Sequence, residues 1–109
     1  MKIPPDAIIP RDKLTKYLLV FQPENDKSQF LAQAGFTQDN PDALDTAIRR
    51  LLDENEAVQD RKNIYGTFYR VSGALVGPSG TIAVITVWLL TATTDEYRFI
   101  TLKPNKEQE

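Results

Sequence analysis

Apolar and polar positions along the chain organise around one stretch, TIAVITVWLL at 81–90. It is the most strongly β-favouring run present, and Ile82, Val84, Trp88 and Leu90 alternate with Ala83, Ile85, Val87 and Leu89. Apolar side chains on both faces predict a central strand covered on both sides. Upstream, Thr67, Tyr69, Val71 and Gly73 fall on one face, and Phe68, Arg70, Ser72 and Ala74 on the other. Gly77-Pro78-Ser79-Gly80 joins these two segments tightly, which predicts an antiparallel hairpin. A turn at 91–95 leads into 97–103, where Tyr97, Phe99 and Thr101 alternate with Arg98, Ile100 and Leu102 until Pro104 stops the strand. The polar stretch 58–63 reads as a short edge strand or a loop.

Before the strands the period is helical. Leu14, Tyr17, Leu18 and Phe21 form one stripe over 11–21, with Lys13 and Lys16 outside it. A short second helix over 27–34 is expected to start from Asp26 as cap and to end at Gly35. The third helix has the best signals. Asn40 stands as cap, Pro41 takes the first position, and Ala43, Leu44, Ala47, Ile48, Leu51 and Leu52 make the buried stripe. Pro4, Pro5 and Pro10 keep the first ten residues extended, with Ile3, Ile8 and Ile9 tucked inward. Helices followed by a meander predict one α+β domain over 1–109, its N-terminal helices packed on one face of a C-terminal antiparallel β-meander of three or four strands. The tail at 105–109 is expected to fray.

Composition removes several function classes. The 109 residues include no Cys and no His, so thiolate chemistry, disulfides, the commonest zinc ligand and the commonest acid–base group are all missing. We therefore expect neither a metal nor a cofactor. No signal-like segment and no bilayer-length apolar run is visible, so a cytoplasmic protein without a membrane partner is expected. The net charge of −2 does not advertise nucleic-acid binding, but it is unevenly spread. Residues 39–60 carry seven acids against Arg49 and Arg50, whereas residues 61–103 carry Arg61, Lys62, Arg70, Arg98 and Lys103 against Asp95 and Glu96. An acidic helix beside a mildly basic sheet accounts for this, and such a sheet face could meet phosphates.

Phosphate loops, zinc spacings and nucleophile elbows are absent. Metal-independent RNA cleavage is one reaction that the remaining Lys, Arg, Tyr, Thr and carboxylates can support: it needs a base, an acid and cations around the phosphorane. On that reading Lys27, Tyr65, Thr86 and Thr101 are the catalytic candidates, Arg70 and Arg98 bind phosphate, and Tyr65 or Lys16 moves protons. Each has a plainer reading. Lys27 is a surface lysine at a helix start, Tyr65 packs where a strand begins, and Thr86 is a β-former with a locally bonded hydroxyl. Trp88, likewise, is core rather than a base-stacking platform.

The ordered set KLTKYLL at 13–19, DKSQFLAQAGF at 26–36, NPDALDTAI at 40–48, YGTFYRV at 65–71, GPSGTIAVITVW at 77–88 and FITLKP at 99–104 resembles an uncharacterised bacterial family, a domain of unknown function common in small cyanobacterial proteins. The positions that match include Lys27, Phe30, Gly35, Tyr65, Gly66, Thr86, Trp88 and Thr101. That family often has a basic residue after the hairpin glycine, where this chain has Thr81, a departure that weighs against activity. The helix-then-meander order is also similar to the ribonuclease-toxin superfamily of barnase, EndoU, the tRNase colicins and RelE, at the level of fold alone. This second resemblance implies a ribonuclease-like toxin acting on RNA and held in check by a small partner protein. The alternative is a non-catalytic protein-interaction module, the antitoxin or immunity side of such a pair.

Overall fold

The computed structural model describes residues 1–20 and 27–105. Along the chain stand α1 (Arg11–Lys13), which runs into a π-helical turn (Leu14–Leu18), then α2 (Ser28–Ala32) and α3 (Pro41–Glu54). Four strands follow: β1 (Val58–Asn63), β2 (Gly66–Gly77), β3 (Gly80–Thr91) and β4 (Tyr97–Pro104). They form one antiparallel sheet in the order β1-β2-β3-β4, so the fold is α+β with a plain meander, as the pattern predicts.

Register decides which side of β3 meets the helices. Thr86 stands opposite Val71 and Leu102, and Trp88 opposite Tyr69 and Phe99. Val84, Thr86, Trp88, Val71, Leu75, Phe99 and Leu102 are buried together with Leu44, Ile48, Leu51 and Leu52 of α3. The opposite row, Ala83, Ile85, Val87 and Leu89, is only half-buried and is absent from the hydrophobic side chains that make up or pack against the core. Cover on both sides of β3 was the expectation from its apolar pattern, and this corrects it. Among the described residues the helices lie on one face.

Two local departures from strict periodicity matter. A bulge beside Val87 and Trp88 places an extra residue in β4, and Phe99 and Leu102, three apart, both become core residues. In the first helical segment Leu19 N–H donates to the Leu14 carbonyl at 3.0 Å, an i to i+5 bond. Leu14 and Leu18 are buried there, while Tyr17 turns out to solvent instead of joining the stripe.

The helix ends follow the expected chemistry in part. Pro41 takes the first position of α3, but Asn40 caps nothing with its side chain. Its Oδ1 accepts from Thr37 N–H at 2.7 Å and its Nδ2 donates to the Gly35 carbonyl at 2.9 Å, which stitches the α2–α3 loop instead. Gly35 sits at φ 92° after α2, the left-handed conformation anticipated for it. Phe21 and Asp26, expected in the first stripe and as a cap, lie outside the described residues.

The extended N-terminal segment is held from two directions. Arg49 of α3 donates to the carbonyls of Pro5 and Ala7, both at 2.7 Å, while its Nε is paired with Asp45 at 2.7 Å. Ile8 bridges β4 in parallel: its N–H donates to Tyr97 O and its carbonyl accepts from Phe99 N–H, both at 2.8 Å.

Candidate functional site

Thr86 and Trp88 lie beneath the helices, at 0% exposure each. Trp88 Nε1–H donates to Thr86 Oγ1 at 2.8 Å, and Thr86 Oγ1–H donates to the Val71 carbonyl at 2.9 Å. Both polar groups are therefore satisfied inside the core, where an unpaired one would cost about 1–3 kcal/mol. Thr86 does not line a cleft, and Trp88 offers no stacking face.

Lys27 and Thr101 do meet, although 74 residues separate them in the chain. Lys27 stands just before α2, and its Nζ donates to Thr101 Oγ1 at 2.8 Å on β4, an edge strand. The same ammonium lies 5.5 Å from the centre of the Tyr17 ring, and Lys13 Nζ lies 5.7 Å from it. The aromatic face turned outward by the π-helical turn thus carries two cations.

Tyr65 joins neither group. It occupies the β1–β2 turn, 68% exposed, next to Ile64 at 86%. Asn63 Oδ1 accepts from Tyr65 N–H at 2.9 Å, and the Tyr65 carbonyl accepts from Ala92 N–H at 3.0 Å, so the turn is tied down while both side chains project. Lys16 is paired with Asp12 across one helical turn at 3.9 Å. The four catalytic candidates therefore do not converge: Lys27 and Thr101 form one contact, Thr86 is internal, and Tyr65 caps a hairpin.

Arg70 and Arg98 belong to the uncovered face. Pairing puts Phe68, Leu89 and Arg98 in one cross-strand row, Arg70, Val87 and Thr101 in the next, and Ser72, Ile85 and Lys103 in a third. An aliphatic strip on β3 thus runs between Arg70 on one side and Arg98 and Lys103 on the other. Arg61 of β1 adds a fourth cation, stacked 4.8 Å from the Phe68 ring centre. None of these four forms an ion pair with a described residue, whereas Arg11, Lys16, Arg49 and Arg50 on the helical side all do. A cleft of about 220 Å³ crosses this face, lined among others by Val58, Arg70, Ser72, Ile85 and Asn105. Glu56 at its rim is already held by the Met1 ammonium at 2.8 Å, which keeps its carboxyl below the usual range. Among the described residues no three carboxylates gather into a set that could ligate a metal, and no helix is long and apolar enough to cross a membrane.

Residues 4–106 match the family described as Domain of unknown function (DUF6883). The chain belongs to the DUF6883 family. No curated protein and no solved structure matches it. What this DUF6883 chain presents to solvent is thus read from its own geometry. The strands hold five basic residues and a single acid, Asp60, which is the mildly basic sheet that the charge distribution pointed to. Only the register shows that Arg70, Arg98 and Lys103 share the uncovered face.

Proposed function

We propose that this chain is a non-catalytic protein-interaction module, working in the cytoplasm and docking a protein partner on the uncovered face of its sheet. One observation carries the reading: the aliphatic row Ala83, Ile85, Val87 and Leu89 lies outside the core and half-open to solvent. An apolar centre with a charged rim is the usual build of a docking surface. The internal role of Thr86 supports it too, because it leaves one of the four catalytic candidates without access to a substrate. An antitoxin or immunity role, in which the partner is neutralised by being covered, fits such a surface. The test is co-purification of the tagged chain with the products of adjacent genes. We expect one of them to be retained by the native protein and by Lys27→Ala, and lost with Val87→Asp. Retention by Val87→Asp as strong as by the native chain would sink the reading.

A second reading, a metal-independent RNase-like toxin of bacterial type, draws on the Lys27–Thr101 contact and on the cations Arg98 and Lys103 in the same strand. Induced expression in bacteria separates the two. Growth arrest with RNA cleavage, abolished by Lys27→Ala, would favour the toxin.

A further inference from the structure

We infer that the partner of the uncovered face presents an acidic amphipathic helix, laid along β3 with its apolar stripe on Ile85, Val87 and Leu89. This rests on the interaction-module reading above and specifies the chemistry of the bound surface.

Three observations lead there. The first is dimensional. Arg70 on β2 and Arg98 and Lys103 on β4 flank β3, and two inter-strand spacings separate them by about 10 Å, close to one helix diameter. From Ile85 to Leu89 the strip runs about 14 Å, which is two to three turns of helix. A helix seated there has a lipophilic groove under it and a cation on each side.

The second is electrostatic. Arg61, Arg70, Arg98 and Lys103 pair with no described carboxylate, while Arg11, Lys16, Arg49 and Arg50 on the helical side do. Such a face steers and holds an acidic surface. It also argues against a second copy of this chain, since two such faces packed on each other would bring like charges together.

The third separates protein from nucleic acid. A single-stranded RNA platform needs open aromatic faces. Phe68 is the one aromatic in the cross-strand rows of this face, and Arg61 already lies over its ring. The centre of the face, Ile85, Val87 and Leu89, is aliphatic, which suits a helix stripe.

The experiment is selection of random 16-residue peptides against the immobilised full chain, followed by affinity measurement with variants. Enriched peptides should place apolar residues at i, i+3 or i+4, and i+7, with Asp or Glu on both flanks. Binding should weaken at least tenfold with Arg70→Glu combined with Lys103→Glu, and at least tenfold with Val87→Asp. Circular dichroism melts confirm that each variant is folded, and the Lys103→Glu single variant, at an exposed site, stands in if the others are not. Peptides that lose binding to Val87→Asp but carry basic flanks, or ignore the charge reversals, overturn the acidic helix and leave the interaction module standing. Peptides indifferent to all variants, or a labelled RNA oligonucleotide that binds this face while no peptide does, overturn both.

Discussion

Trp88 is hydrogen-bonded to Thr86 on its own strand, two residues back and on the same side of the sheet, with Nε1–Oγ1 at 2.8 Å. Thr86 in turn serves the Val71 carbonyl of the neighbouring strand. A tryptophan this deeply buried must place its N–H somewhere, and a threonine in an otherwise aliphatic strand is what receives it.

Thr86→Val keeps the shape but strips the indole N–H of its acceptor. We expect a loss of about 1–3 kcal/mol in urea unfolding, because a buried donor is left unsatisfied. Thr86→Ser, which keeps the hydroxyl, should cost less. Equal losses in the two variants would show that the methyl group rather than the hydroxyl matters.

Lys27 and Thr101 tie the start of α2 to the last strand. A double-mutant cycle with Lys27→Met and Thr101→Val should give a coupling energy of about 0.5–1.5 kcal/mol, the range of a single hydrogen bond. Additive losses would mean that the contact is not formed in solution.

Gly66 and Gly73 tolerate no side chain, for different reasons. Gly66 combines φ 146° with a Cβ position that overlaps the Leu90 carbonyl oxygen, so Gly66→Ala should destabilise by about 2 kcal/mol or more. At Gly73 the atoms nearest the added methyl all belong to the Asn55 amide, with Nδ2 at 2.5 Å. Gly73→Ala should therefore be partly rescued by Asn55→Ala, whereas no single partner change rescues Gly66→Ala. Thermal melts of the four proteins decide it.

Tyr97 is held neutral by burial first and by its neighbour Tyr69 second, whose ring is 5.8 Å away, so its phenol titrates above the usual tyrosine value. The unfolded chain then loses this proton before the folded one does. Stability from Tyr97 is intact below about pH 10 and falls as pH rises beyond it. Unfolding midpoints between pH 9 and 11 should drop less in Tyr97→Phe than in the native chain.

Periodicity revealed most of the architecture. The stripe Leu44, Ala47, Ile48, Leu51 and Leu52 and the turn Gly77-Pro78-Ser79-Gly80 made α3 and the β2–β3 hairpin readable, because each encodes its own local geometry. The direction in which β3 faces was not readable. Its two rows are almost equally apolar, and only the pairing of Thr86 with Val71 and Leu102, and the helices above them, distinguishes them. The β4 bulge was equally hidden, since one extra residue leaves no mark on a short alternating pattern. Of the candidate site, only Lys27 and Thr101 are brought together, and no local pattern couples residues 74 apart. Tyr65 and Thr86 stand apart from them, because burial and strand ends are properties of the assembled sheet.

The parallel bridge between Ile8 and Arg98 joins stretches of chain that leave the ribosome far apart in time. Residues 1–9 emerge well before residues 97–99, yet the backbone groups that receive Ile8 belong to Tyr97 and Phe99. Until those residues appear, Ile3 and Ile9 lack the last strand of their finished packing environment. This segment is therefore made before the strand that receives it exists, and a nascent chain halted before residue 97 would hold it from the α3 side, with hydrophobic surface left open to chaperones.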